Sequence, residues 1–419
     1  MLWDREDLAS RLQRVLRVAR KAVARLAESG YSDPEDAAHS VRPEKLVAET
    51  ALLLLAASTV SDNGVPVLVD ELAKELAPYA RSDRMLLGLA LEPAAAWDYA
   101  QAHVFLTRLA YPDAGFDKML AASETAQAAH GREQVPHRVL ERDWLRTGLN
   151  PAASDEPAPF VGREVLVHPI DCLTGSREDV YAFSHALMYV GDFGIRPKPW
   201  PRPPAELCAE AEGALGRCLD EQDYDLGAEV LLAWPLTGLA WSAAATFGFQ
   251  VLAAVEDRAG FLPSHAVRLE RLHTLEGDEH TDYLLATTYH TAYVMGLLCS
   301  MALQPDKTPP ASIPVGNAVR GAAEQVIPFL RSGDYAPHWA TQFEKLSEAE
   351  RDALAPMLFS IAVRRCVEAR QFASVHDLLA ICHELGLADT PSASQTAELL
   401  GRLGTLSEVV ANRRAQGYN

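Results

Sequence analysis

Residues 283–303 read YLLATTYHTAYVMGLLCSMAL, a stretch without one charged side chain. Leucine, alanine and methionine recur through it, and it contains no proline that would break a helix. Residues 281–303 also lack lysine, arginine and glutamate, the side chains that normally cover a face toward solvent. The segment therefore predicts a helix that is buried on all sides within a large helical fold.

Polar groups nevertheless recur along one side of this helix. At about 100° per residue, Glu279, Asp282, Tyr283, His290 and Tyr293 fall within roughly 100° of one another if the helix is continuous. Titratable groups on an otherwise apolar helix indicate either the wall of a pocket or a hydrogen-bonded network in the core. The sequence leaves these two interpretations open.

A second histidine–tyrosine stripe lies about a hundred residues earlier. His185, Tyr189 and Asp192 fall within roughly 60° on a helix. A histidine and a tyrosine one turn apart can act as general base and general acid, and an aspartate on the same face can orient the imidazole ring and raise its pKa. Alternatively Asp192 caps the next element, because Gly191 and Gly194 flank it as turn residues.

The rest of the chain continues the helical pattern. Apolar residues recur at helical spacing in three regions, 1–150, 160–303 and 315–419, which proline-rich connections separate. Alternating strand patterns are almost absent, apart from a short piece at 164–168 that we expect to be extended. We predict an all-α protein of antiparallel helical pairs, packed as one continuous unit that forms a partial or complete α/α toroid.

Composition excludes several classes of partner. The formal net charge of −19, from 57 acids against 38 basic residues, argues against nucleic acid and anionic membrane surfaces. A second uncharged stretch, 230–255, is interrupted near Pro235, and we interpret both stretches as buried helices rather than membrane spans. The six cysteines form no Cys-x-x-Cys pair, and the N-terminus lacks a signal-peptide core, which together predict a cytoplasmic protein.

Two further features concern burial. Glu49 lies in an apolar helix after Lys45, and we interpret it as a candidate buried acid in an ion pair or at a helix end. Trp234 and Trp241 lie seven residues apart, a spacing more typical of core packing than of a ligand platform.

Metal binding is an alternative for the polar stripes. His280, Asp278 and Glu279 are the first candidate ligands, and His185, Asp192, Asp282 and His290 could complete a histidine–carboxylate set from separate helices. Residues 278–282 also resemble the acidic motif with which prenyl-diphosphate enzymes hold magnesium, and residues 220–223 form a second acidic cluster. Acidic runs are equally typical of helix N-termini, where they complement the helix dipole.

One local pattern resembles a known architecture. Residues 259–264, AGFLPS, followed by residues 289–294, YHTAYV, resemble a unit of the α/α toroids found in squalene-type terpene cyclases and helical-barrel carbohydrate enzymes. The resemblance covers roughly residues 215–303 and implies an inner helix with tyrosine, histidine and threonine toward a central cavity. The Asp-x-Asp-Asp acid motif of squalene-type cyclases is absent. The whole chain also resembles uncharacterised bacterial all-helical proteins, which implies no activity.

The leading hypothesis is an enzyme, of lyase, cyclase or hydrolase type, that uses acid–base groups in a central cavity on a small organic molecule. We predict His185 and His290 as proton-transfer groups, Tyr189 and Tyr293 as donors, and Asp192 and Asp282 as orienting groups. The alternatives are a non-catalytic helical-repeat interaction protein and a magnesium-dependent prenyl-diphosphate enzyme. We expect no cofactor, with a divalent metal as the alternative, and the sequence leaves homo-oligomer formation open.

Overall fold

The structure, a computed structural model, describes residues 4–29, 43–62, 64–128, 135–150, 164–264, 267–330 and 337–416. Every regular element in these ranges is a helix, so the predicted all-α class is confirmed. The N-terminal helices are α1 (Arg5–Ser29), α2 (Pro43–Ala57), α3 (Val65–Ala80), α4 (Asp83–Leu91), α5 (Ala96–Arg108), α6 (Ala114–Ala128) and α7 (Pro136–Leu149).

The remaining helices follow in two groups. The central group contains α8 (Glu164–Val167), α9 (Arg177–Gly191), α10 (Pro204–Asp220), α11 (Tyr224–Leu231), α12 (Ala233–Thr237), α13 (Ala243–Ala259), α14 (Leu269–Leu272) and α15 (Gly277–Ala302). The C-terminal group contains α16 (Ala322–Leu330), α17 (His338–Phe343), α18 (Glu348–Ala353), α19 (Ala355–Glu368), α20 (Phe372–Glu384) and α21 (Pro391–Ala415).

The predicted extended piece at 164–168 was wrong, because α8 forms a single helical turn there. Its short apolar run, Val-Leu-Val, fits a buried strand and a buried helical turn equally well. Leu166 is buried in the hydrophobic core, and its carbonyl accepts a hydrogen bond from Arg202 Nε at 2.6 Å.

Helix α9 has a cap at each end. Ser176 is the N-cap, and it forms a capping box with Asp179. The helix ends where Asp192 adopts a left-handed conformation with a φ of 44°. Asp192 is therefore the C-cap of α9 itself rather than the cap of the next element, and its left-handed conformation turns its side chain away from the regular helical face.

Helix α15 is continuous from Gly277 to Ala302, and its uncharged part is almost wholly buried. It packs against α1, α2 and α11. Gly296 permits the close approach, because a Cβ there would lie 2.7 Å from Leu53 Cδ1 on α2 and 2.8 Å from Val15 Cγ1 on α1.

A ring of helices surrounds an internal space. Helix α2 packs on α5, α5 on α7, α7 on α9, α9 on α11, α11 on α15, and α15 returns to α2. The closed toroid expected from the sequence stays a prediction, but this ring brings distant parts of the chain around one centre.

The second uncharged stretch is divided as its proline predicts. Helix α11 ends at Leu231, Pro235 lies in the short α12, and α13 begins at Ala243. Trp234 and Trp241 are buried and stack with their ring centroids 6.3 Å apart, which confirms their core role. Across the described ranges, none of the helices combines the length and the apolar character needed to cross a membrane.

The C-terminal helices pack mainly on α10 and α13. Asp220 at the end of α10 anchors them, because its carboxylate accepts hydrogen bonds from Trp339 Nε1 at 3.2 Å and from Arg365 Nε at 2.9 Å. One cluster of buried apolar side chains extends from Leu8 in α1 to Ala393 in α21.

Candidate functional site

The helix ring encloses a cavity of about 370 Å³, a volume suited to a small organic molecule. Its walls come from α2, α5, α7, α9, α11 and α15, together with Phe193 just after α9. Acids are in excess over basic side chains on these walls. The acids are Glu44, Glu49, Asp98, Glu141 and Glu229, and the basic side chains are Lys45, Arg138, His185 and His290.

Helix α9 contributes His185 and Tyr189 to the cavity wall. Their spacing of four residues places both side chains on the same helical face. His185 Nδ1 lies 3.0 Å from the carbonyl oxygen of Tyr181 and 3.3 Å from Glu229 Oε2. The Tyr189 hydroxyl donates a hydrogen bond to Glu141 Oε1 at 2.9 Å. Each side chain is therefore paired with a carboxylate from a neighbouring helix.

Helix α15 contributes His290 and Tyr293 from the other side. His290 Nδ1 lies 2.9 Å from Glu49 Oε2, so the candidate buried acid of the sequence is in an ion pair. The hydroxyls of Tyr293 and Thr50 lie 3.0 Å apart. Because the Thr50 hydroxyl donates to the carbonyl of Leu46, its oxygen accepts from Tyr293. The Tyr293 hydroxyl thus belongs to a core network, while its ring lines the cavity.

Glu141 organises the α7 side of the cavity. It accepts hydrogen bonds from Gln101 Nε2 at 3.0 Å and from Arg138 Nη1 at 2.7 Å, in addition to that from Tyr189. Trp144 stacks on Tyr189 with a centroid separation of 5.1 Å. These contacts hold the Tyr189 ring in one orientation.

A histidine–carboxylate cluster lies where α11 meets α15. Asp225 and Glu229 lie one turn apart on α11, and one side-chain atom from each lies within 4.8 Å of the other and of a ring nitrogen of His290. His290 Nε2 is 3.5 Å from Asp225 Oδ1. Glu229 Oε2 accepts a hydrogen bond from Ser184 at 2.7 Å. We call Asp225, Glu229 and His290 the α11–α15 cluster.

The surroundings raise the pKa of both cavity histidines, His185 and His290. Burial by itself lowers the pKa of His290, but the carboxylates of Glu49 and Asp225 outweigh it and raise the pKa to about 9. Burial also lowers the pKa of His185, and Glu229 more than compensates, so that this pKa lies above its usual value. Both imidazoles therefore hold a proton more readily than an exposed histidine.

Burial also acts on the pKa values of Asp225, Glu229 and Tyr189, and a neighbouring charge reverses its effect at Glu229. Burial raises the pKa of Asp225 to about 6, and the nearby charge of Glu229 adds to the effect. Burial would also raise the pKa of Glu229, but the neighbouring His185 lowers it more. Burial raises the pKa of the Tyr189 phenol well above its ordinary value, so this group keeps its proton.

Two predicted orienting groups lie away from the cavity lining. Asp192 is buried between Arg108, whose Nη2 donates to Oδ2 at 2.7 Å, and Trp144, whose Nε1 donates to Oδ1 at 2.6 Å. Asp282 pairs with Arg25 of α1, whose Nε donates to its Oδ1 at 2.6 Å. The structure therefore brings neither aspartate to His185 or His290.

The first three metal candidates named from the sequence also lie elsewhere, whereas the candidates His185 and His290 line the cavity. Asp278 and Glu279 are exposed in the first turn of α15, and His280 is half-buried beside them. The second acidic segment, 220–223, is engaged by arginines, since Asp220 pairs with Arg365 and Asp223 with Arg177. Neither acidic segment lines the cavity.

Sequence reasoning missed Asp225, Glu229 and Glu141 as cavity groups. A signal was present in the first two, because two acids four residues apart interrupt an otherwise apolar helix. Glu141 carries no comparable signal, because α7 is rich in charged residues and its buried acid resembles the exposed ones. The side of the helix that faces the cavity decides its role.

Comparison with known proteins identifies a family and nothing beyond it. No curated protein and no solved structure matches the chain. The family described as a domain of unknown function, DUF6895, matches residues 12–300, a range that contains the whole cavity lining and ends before α16. Because the match covers more than half of the chain, the protein belongs to the DUF6895 family.

Proposed function

We propose that the protein is an enzyme that acts on a small organic molecule by acid–base chemistry inside the cavity. One observation carries the proposal: α9 and α15, far apart in the sequence, present His185, Tyr189 and His290 to the same 370 Å³ space. Titratable groups with shifted pKa values in one cavity are typical of catalytic sites.

His185 is the proposed proton-transfer group. Its Nδ1 faces the Tyr181 carbonyl and Glu229, so Nε2 is the ring nitrogen available to a substrate. Glu229 raises the pKa of the ring, which lets it deliver a proton at neutral pH and take one back. Because this carboxylate holds the ring through Nδ1, the position of Nε2 is fixed before any substrate enters.

Tyr189 is the proposed hydrogen-bond donor beside it. Burial keeps the phenol protonated, and the proton is directed at Glu141. A substrate oxygen in the cavity would compete for this proton, while Trp144 and Glu141 keep the ring in place. His290 has a different role, because both of its ring nitrogens face carboxylates. It holds Glu49 and Asp225 in position and does not contact the substrate.

The lining also indicates a class of substrate. Acids exceed basic side chains on the cavity wall, and the aromatic rings of Tyr181, Tyr189 and Trp144 lie among them. Lys45, Arg138, His185 and His290 nearly balance the acids, so the aromatic faces decide the preference, and they favour neutral or positively charged molecules. We therefore expect a neutral or amine-bearing small molecule, converted by a lyase, cyclase or hydrolase reaction.

The experiment follows the conversion of metabolites without assuming a substrate. Purified protein is incubated with a small-molecule extract, and compounds that disappear and appear with time are identified by mass spectrometry. Tyr189→Phe and His185→Gln are compared with the wild type. Loss of a general acid–base group lowers turnover by about 10²–10⁴-fold, so both variants should convert the same compound at least about 100-fold more slowly.

Asp282→Asn provides the matched control, because it removes a carboxylate from α15 that pairs with Arg25 outside the cavity. It should turn over the compound like the wild type. The proposal fails if the wild type converts nothing, or if Tyr189→Phe and His185→Gln, folded by circular dichroism, keep full turnover. Either result would favour the non-catalytic interaction protein.

A further inference from the structure

The α11–α15 cluster contains the donor types of a metal centre. One imidazole and two carboxylates converge from two helices that pack directly on each other, and their donor atoms lie within 4.8 Å of one another. The i, i+4 spacing of Asp225 and Glu229 is the arrangement that lets two side chains on a helix share one ligand. A single cation would touch all three residues.

A second observation points to a missing ligand. Asp225 Oδ1 is inaccessible to solvent and accepts no hydrogen bond. Its nearest partner is His290 Nε2 at 3.5 Å, and Arg177 approaches only the other oxygen, at 3.8 Å. Arg177 is committed to Asp223, to which its Nε donates at 2.6 Å. A buried carboxylate oxygen without a donor is costly unless something binds it.

The surrounding contacts resemble the outer shell of metal sites. Glu49 lies 2.9 Å from His290 Nδ1 and would keep a proton on that nitrogen, while a metal ion would take the place of the proton on Nε2, which faces Asp225. A carboxylate behind a histidine ligand fixes its tautomer and orientation in this way. Ser184 and His185 hold Glu229 through Oε2. The three donors are therefore oriented by the protein before an ion arrives.

We propose that Asp225, Glu229 and His290 bind one divalent first-row transition-metal ion at the wall of the cavity. An imidazole with two carboxylates suits zinc, manganese or iron better than calcium, which takes oxygen ligands almost exclusively. Glu229 and His290 line the cavity, so coordination positions not filled by protein face the space where a small molecule would lie. The site stands on geometry alone and does not depend on the proposed reaction.

The test measures metal binding without a substrate. Untagged full-length protein is treated with chelator, freed of it, and titrated with zinc chloride and, separately, manganese chloride by calorimetry. We expect one ion per chain with micromolar or tighter affinity for at least one metal. Asp225→Asn and Glu229→Gln should each weaken that binding by at least tenfold, and metal should raise the melting temperature of the wild type more than that of either variant.

Asp282→Asn is again the matched control. It removes the same formal charge as Asp225→Asn, but from a carboxylate that pairs with Arg25, so a general loss of negative charge would affect both variants equally. The six cysteines are buried, which limits competing thiolate sites. Circular dichroism confirms that each variant is folded.

Several outcomes would overturn the metal site. They are the absence of saturable binding below millimolar metal, or equal affinity in the wild type, Asp225→Asn and Glu229→Gln. The metal and catalytic proposals fail separately. Stoichiometric metal binding without conversion of any metabolite rejects only the enzyme, whereas conversion by metal-free protein that binds no ion rejects only the site.

Discussion

Asp192 and Asp225 are both withdrawn from solvent near the same cavity, but their partners differ. Asp192 accepts from Arg108 on one oxygen and from Trp144 on the other, so its charge and both oxygens are satisfied. Asp225 has one oxygen without a hydrogen bond and an arginine no nearer than 3.8 Å. The first arrangement is complete within the protein, whereas the second leaves one oxygen faced only by the His290 ring at 3.5 Å, where we propose a metal ion.

Asp220 repeats the Asp192 arrangement at another helix end. It also accepts from an indole, that of Trp339, and from a guanidinium, that of Arg365. The recurrence shows how this protein fixes buried acids for structural purposes. Burial of an acid is therefore not by itself a sign of function in this protein.

The largest expected effect is on stability at Asp192. Asp192→Asn leaves the Arg108 guanidinium buried without a counter-charge, and loss of one partner of a buried pair costs about 3–5 kcal/mol. Urea denaturation should show this decrease in the free energy of unfolding. Asp282→Asn, which breaks a more exposed pair, should cost less than about 1 kcal/mol. Equal costs would remove the distinction between the two aspartates.

A smaller effect is expected from His103 on the pH dependence of the unfolding free energy. Its pKa is lowered, whereas the pKa values of the cavity histidines are raised. Arg81 Nε donates to His103 Nδ1 at 3.1 Å, and Asp117 lies 2.8 Å from Nε2, an arrangement that requires a neutral ring. Burial, followed by the charge of Arg81, lowers the pKa of His103 below its ordinary 6.5.

The direction in which the unfolding free energy changes with pH follows from the protons bound by the folded and unfolded states. Below pH 6.5 the unfolded chain takes up a proton that the folded protein refuses, so this stability is complete above 6.5 and is lost as the pH falls. The slope is at most about 1.4 kcal/mol per pH unit. His103→Gln can keep both hydrogen bonds but does not titrate, so its unfolding free energy should fall less between pH 7 and pH 5. Parallel curves for the two proteins would contradict the prediction.

The smallest expected effect is on stability at Asp225. Asp225→Asn removes a charge whose burial outweighs its attraction to His290, as the pKa of about 6 shows, and that Glu229 repels, so in metal-free protein at neutral pH it should cost nothing or add about 1 kcal/mol. Thermal unfolding after chelator treatment measures the difference. A loss comparable to that of Asp192→Asn would mean that Asp225 is a structural acid, and the comparison would fail.

The helical stripes explain how far the sequence could predict the site. His185 and Tyr189 share a face because the helix period is local, and they line the cavity as that period predicts. Asp192 lies on the same face in projection but follows Gly191, where the left-handed turn ends the helix and the projection no longer applies. A helical wheel is valid only as far as the helix extends.

The prediction from the α15 stripe is wrong at Asp282 for a different reason. Asp282 and His290 do share a side of the helix, but eight residues separate them by about 12 Å along its axis. Different helices therefore contact α15 at these two positions. Arg25 of α1 pairs with Asp282, and Glu49 of α2 pairs with His290. Angular position is encoded locally, whereas the partner at each level is not.

The sequence by itself determined the all-helical class, the burial of 283–303, the break near Pro235 and the faces on which His185, Tyr189, His290 and Tyr293 lie. These properties depend on the helix period and on the cost of burying charge, which act over a few residues.

Only the tertiary structure decided which partners these side chains have. Glu49, Glu141, Asp225 and Glu229 contact the cavity histidines and Tyr189, whereas Asp192 and Asp282 pair with arginines. The contact of His290 with Glu49 spans 241 residues, and that of Asp282 with Arg25 spans 257. Such partners are chosen by the packing of whole helices, which no local pattern specifies.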